Sequence, residues 1–137
     1  MKVWVDANVI LRLLTGEPEG MASSAQKLFQ RAERGELTLH LSILVAAEVV
    51  WVLGSYYRVP RPKIAEVVTQ VAMAEGVECE QRGLLVDALA SMAEKNVDFV
   101  HAYLARRAAS DDGAVASFDR DFARLPARHL HPDDVGT

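Results

Sequence analysis

Residues 1–14, MKVWVDANVILRLL, decide the fold. Val3, Trp4 and Val5 form an apolar run of strand-favouring residues that stops at Asp6, after which Val9, Ile10, Leu13 and Leu14 recur at helical spacing. The stretch reads as strand, acid, helix. A strand feeding directly into a helix predicts an α/β sheet, in which ligand chemistry gathers beyond the carboxyl ends of the strands, where Asp6 falls. Asp6 has a second reading as the helix cap, because a carboxylate accepts hydrogen bonds from the first unpaired N–H groups.

The chain of 137 residues, half of them hydrophobic, is the length of one domain, expected over 1–137, and can bury a core without disulfides or structural metal. Its single cysteine, Cys79, excludes an intrachain disulfide and a multi-cysteine zinc site within one chain. Lys2 is followed at once by the strand pattern, and no apolar run is long enough to cross a bilayer. A soluble, cytoplasmic protein with no membrane partner is therefore expected. The net charge of −4 disfavours a polyanionic partner on average, but acids gathered round a cation account for that sign locally.

Gly16 to Gly20 makes a loop, Ser23 or Ser24 opens a helix that Gly35 closes, and Leu37 to Leu41 alternates as a second strand. Ser42 then caps ILVAAEVVWVL, residues 43–53, which is apolar on every face except at Glu48. That pattern predicts a buried helix carrying Glu48 inward. A buried carboxylate needs a partner, so Glu48 meets a cation or an arginine, or sits at a bend with its head in solvent. Helices over Lys63–Ala74 and Gly83–Lys95 and an edge strand over Val77–Glu80 carry nothing catalytic.

A second acidic group follows. Asp98 precedes the helical FVHAYLARRAA, residues 99–109, and either caps it or joins His101, three residues on, in facing one ligand. His101 is a ligand for softer metals or a surface residue near a helix start. The strand Ala114–Phe118 ends in Asp119. If it lies parallel beside the Val3 strand, Asp6 and Asp119 emerge at the same sheet edge about 5 Å apart. Asp121 is either an outlying helper or the start of a short helix with Phe122 and Leu125. Arg128–Pro132 reads as one more strand, with His129 and His131 facing solvent, and residues 131–137 as a loose tail.

Each acid has an innocent explanation alone; their joint placement is the stronger signal. Carboxylates within about 4 Å of one another repel by roughly 4 kcal/mol per pair at an effective dielectric of 20, so something positive must sit among them. Asp and Glu oxygens select hard divalent ions, Mg²⁺ or Mn²⁺, which also bind phosphate. Such an ion acidifies a water and neutralises charge developing during phosphodiester cleavage.

VDANVILRLL, the lone Glu48 in SILVAAEVVWVL, VDFVHAYLA and ASFDRDF together resemble the ordered acidic motifs of PIN-domain ribonucleases, in particular the VapC-type toxins of toxin–antitoxin pairs. The resemblance runs from Lys2 to about Leu125. It implies a three-layer α/β/α sandwich around a central, mostly parallel sheet, and Mg²⁺- or Mn²⁺-dependent endoribonuclease activity on RNA. It also implies a homodimer bound by a small antitoxin. Asp6, Glu48 and Asp119 fall on the family's acidic positions, Asn8 and Ser117 on its supporting polar positions. The third motif departs: His101 stands where similar chains place an acid, while the earlier Asp98 remains. Asp98 reaches the metal instead, His101 becomes a ligand favouring Mn²⁺ or a softer ion, or the site is weakened.

Arg12 and Arg120, with Arg106, Arg107 and Arg124 among others, lie in or beside these segments and either contact phosphates flanking the cut or are solvated surface charges. The sequence thus predicts a metal-dependent ribonuclease. The alternative is a non-catalytic module that binds RNA or a partner through a degenerate acidic site. A phosphate-receiver domain fits poorly, because Asp6 is followed by Ala7 and Asn8 rather than a second acid, and no late strand ends in lysine.

Overall fold

The computed structural model describes residues 1–136. It divides into two compact units, Met1–Arg82 and a second that starts at Gly83.

In the first unit, β1 (Lys2–Trp4), β2 (Thr38–Leu41) and β3 (Val77–Cys79) form a parallel sheet in the order β1-β2-β3. The register sets Trp4 opposite His40 and His40 opposite Glu78. Parallel neighbours require crossovers, supplied by helices α1 (Ala7–Thr15), α2 (Glu19–Glu33), α3 (Ile43–Ser55) and α4 (Arg61–Ala72). Leu39 and Leu41 point to the core and are fully buried. The other face carries Trp4, 61% exposed, its ring 3.8 Å from that of His40, and a Lys2–Glu78 ion pair at 3.5 Å. The VWV run is therefore an alternating strand with Trp4 outward, not a uniformly buried one.

Local chemistry places the helix ends. Asp6 Oδ1 accepts the Ala7 N–H at 2.8 Å, and Gly16 closes α1 at a φ of 74°, donating to the Arg12 carbonyl. Helix α2 begins at Glu19, directly after Pro18, rather than at Ser23 or Ser24. Gly76, at a φ of 84°, lets the turn before β3 run against the Ala32 backbone, where any Cβ would collide.

Helix α3 corrects an expectation. Its buried side is Ala46, Val49, Val50 and Leu53, but Leu44 (82% exposed), Glu48 and Trp51 (68% exposed) lie along the opposite face. Glu48 is exposed, not drawn inward. A stripe at i, i+4, i+7 that is itself partly apolar looks in sequence like a core face.

The second unit holds α5 (Arg82–Lys95) from its second residue on, α6 (Phe99–Ser110), β4 (Ala114–Ala116), a 3₁₀ turn over Arg120–Arg124, β5 (Arg128–Leu130) and a 3₁₀ turn over Pro132–Asp134. Its core includes Leu85, Leu89, Met92, Phe99, Ala102, Ala105, Val115 and Phe122. Strand β4 pairs in parallel with β5 in a two-stranded sheet, so the condition for Asp6 and Asp119 to emerge side by side, the Ala114 strand paired with the Val3 strand, is not met. The final segment carries a turn in which His131 Nδ1 accepts the Asp133 N–H at 3.2 Å; Thr137, the end of the expected loose tail, lies outside the described residues. Among the described residues, six α-helices alternate with strands that pair only in parallel, an α/β fold. No helix of the described residues is long and apolar enough to cross a membrane.

Candidate metal centre

The chain leaving β4 folds back on itself at Ser117, Phe118 and Asp119. Ser117 Oγ accepts the Asp119 N–H at 2.9 Å, and Asp119 Oδ1 accepts the Asp121 N–H at 2.8 Å, capping the 3₁₀ turn. Short polar side chains bonding to backbone two residues on favour such a turn. Asp121 Oδ1 accepts from Arg124 Nη2 at 3.0 Å, and Arg124 Nη1 donates to the Lys95 carbonyl at 2.7 Å, at the end of α5. The protein thus occupies Oδ1 of both acids.

Oδ2 of both acids faces one imidazole. His101 Nδ1, on α6, lies 3.4 Å from Asp121 Oδ2 and 3.7 Å from Asp119 Oδ2. One ligand-type atom from each of these three residues lies within 4.8 Å of the others. The His101 ring packs against Phe122, itself buried, with centroids 4.9 Å apart. Burial works to raise the Asp121 carboxyl, but hydrogen bonds from His101 and Arg124 outweigh it and hold the group below its ordinary value of 3.8.

The donor set fits a divalent ion. Carboxylate and imidazole ligands lie about 2.0–2.2 Å from such ions, so two of them on one ion are about 3.0–3.4 Å apart. The observed 3.4 and 3.7 Å lie at or just beyond that span.

The remaining expected site residues are placed as follows. Asp6 is exposed at the start of α1, with Asn8 exposed in the first turn. Glu48 is exposed midway along α3. Asp98 caps α6, its Oδ2 accepting the Val100 N–H at 3.1 Å. Ser117 turns Asp119, and its carbonyl meets His129 Nε2 at 2.9 Å. His129 is therefore half-buried, contrary to the solvent-facing reading. Arg12 donates to the Glu17 carbonyl at 3.1 Å and, with Asn8, lines a cleft of about 390 Å³ between α1 and α2. Arg120 is exposed. Arg124 bonds to Asp121 and to the Lys95 carbonyl, and Arg106 to Ser91 Oγ at 3.1 Å.

The three-residue spacing of Asp121 and Arg124, which aligns side chains within one turn, is the sequence signal for their ion pair.

The PIN domain family matches residues 3–128, and the chain belongs to that family. Its α/β fold, with six helices and parallel sheets, is consistent with the family's α/β/α arrangement. Members are generally nucleases that use divalent metals and act on RNA, and His101, Asp119 and Asp121 form a possible metal site here. No curated protein gives a significant match.

Proposed function

We propose that this chain is a Mg²⁺- or Mn²⁺-dependent endoribonuclease acting in the cytoplasm, the VapC-type toxin half of a toxin–antitoxin pair. The observation that carries this reading is the meeting of His101, from the third motif, with Asp119 and Asp121, from the last acidic motif, in a PIN-domain chain. Asp119, with Asp98 or His101, holds the ion, and Asp6 and Glu48 are the further acids that the resemblance assigns to metal binding and catalysis. Asn8, Ser117 and Asp121 orient these groups, and Arg12 and Arg120 contact phosphates of the RNA. A bound divalent ion supplies an acidified water and neutralises charge on the phosphate under attack. Asp119 is aimed by Ser117 and by the turn it caps, so its free oxygen is oriented before any ligand arrives. No covalent intermediate is invoked, because no activated Ser or Cys accompanies the acids.

The toxin role rests on the resemblance of the four motifs and on the surfaces a partner would cover. Leu44, Trp51 and Tyr56 are exposed, and the α1–α2 cleft is walled by Val9, Met21, Ala25 and Leu28. Apolar surface of this kind suits an antitoxin and a second copy of the chain.

Purified protein incubated with RNA and Mn²⁺ or Mg²⁺ is expected to cleave it. Asp6→Asn and Asp119→Asn each reduce the rate about 100-fold or more, tenfold per 1.4 kcal/mol of lost stabilisation. Equal cleavage by wild type and these variants rejects the assignment. The histidine at position 101, where chains with the similar motif place an acid, favours a second reading, a non-catalytic RNA- or partner-binding module with a degenerate acidic site. Intact RNA binding with no affinity for either ion supports that one.

A further inference from the structure

We infer that His101 is itself a ligand of the divalent ion, and that its imidazole gives the centre a preference for Mn²⁺ over Mg²⁺. The inference rests on the metal-dependent reading above and concerns a residue at which this chain departs from the acidic pattern it resembles.

Three observations support it. Nδ1 is shared between two carboxylate oxygens at 3.4 and 3.7 Å rather than committed to one, so the three atoms face one point as the ligands of an ion do. Neutralising Asp121 does not require the ring, since Arg124 already pairs with it at 3.0 Å. The ring is also held in place, anchored on α6 and packed on buried Phe122. Mg²⁺ demands oxygen ligands and dehydrates reluctantly, whereas first-row transition ions accept imidazole. An imidazole beside the two carboxylates therefore shifts the choice of ion toward Mn²⁺.

The test uses the full chain, stripped with a chelator and titrated calorimetrically with Mn²⁺ or Mg²⁺ alone, together with pulsed electron paramagnetic resonance of the Mn²⁺ complex. The expected result is binding at least about 10-fold tighter for Mn²⁺ than for Mg²⁺, with nitrogen hyperfine coupling to the bound ion. His101→Asp removes the coupling and brings the two affinities close to parity. His101→Gln removes the coupling too, and weakens Mn²⁺ about 10- to 100-fold. Absence of coupling in the wild type overturns the inference whether or not the variants fold. So does coupling that persists in both variants, or an unchanged ion ratio in His101→Asp. Mg²⁺-dependent RNA cleavage without nitrogen coupling defeats this inference alone; coupling without cleavage under either ion defeats the nuclease reading alone.

Discussion

Asp121 divides its oxygens between Arg124 and His101, and the consequence is measurable in metal-free protein. Its folded pKa lies below the ordinary 3.8, so its ionised form favours the folded state. That contribution is fully present above 3.8 and is lost as the pH falls through the depressed folded value. Asp121→Asn, melted in chelator, is expected to be less stable than wild type at pH 7 by about 1 kcal/mol or less, since a partly exposed pair is screened by solvent. The gap closes on acidification below 3.8; a gap that widens contradicts the account. The Asp121–Arg124 spacing was visible in the sequence, but the meeting with His101, twenty residues away, was not.

Helix α6 carries both readings of its N-terminal acid, and a pair of substitutions separates them. Asp98 Oδ2 accepts the Val100 N–H, so Asp98→Ala is expected to cost about 1 kcal/mol of stability. Asp98→Asn keeps an acceptor oxygen and most of that stability. If Asp98 also holds the ion, Asp98→Asn weakens Mn²⁺ about 10-fold or more in a calorimetric titration while the melting temperature barely moves. Unchanged metal affinity leaves Asp98 as a cap alone. Helix α3 shows the limit of periodicity at this scale, because Leu44 and Trp51 are as hydrophobic as the core residues opposite them and nevertheless face solvent with Glu48 between.

For the whole chain, the ion and folding are linked. Anything that binds only the folded state stabilises it, by about 2.7 kcal/mol at a hundred times Kd. Saturating Mn²⁺ is therefore expected to raise the melting temperature by several degrees over chelator-treated protein, and Asp119→Asn to lose most of that rise. An equal rise in the variant places the ion elsewhere. The family match over residues 3–128 covers both compact units, so neither is foreign to the family.

The sequence by itself determined the alternation of strand and helix and the caps at Asp6, Ser42 and Asp98. It also determined the order of the acidic motifs that marks the PIN family. These features are local: propensity, capping and turn chemistry act within a few residues, and the residues concerned carry them wherever they lie. Only the tertiary structure decided that β4 pairs with β5, that Glu48 faces outward, and that His101 swings to the free oxygens of Asp119 and Asp121. Those outcomes depend on which faces long-range packing covers, and side chains chemically alike on two sides of one helix do not encode that choice.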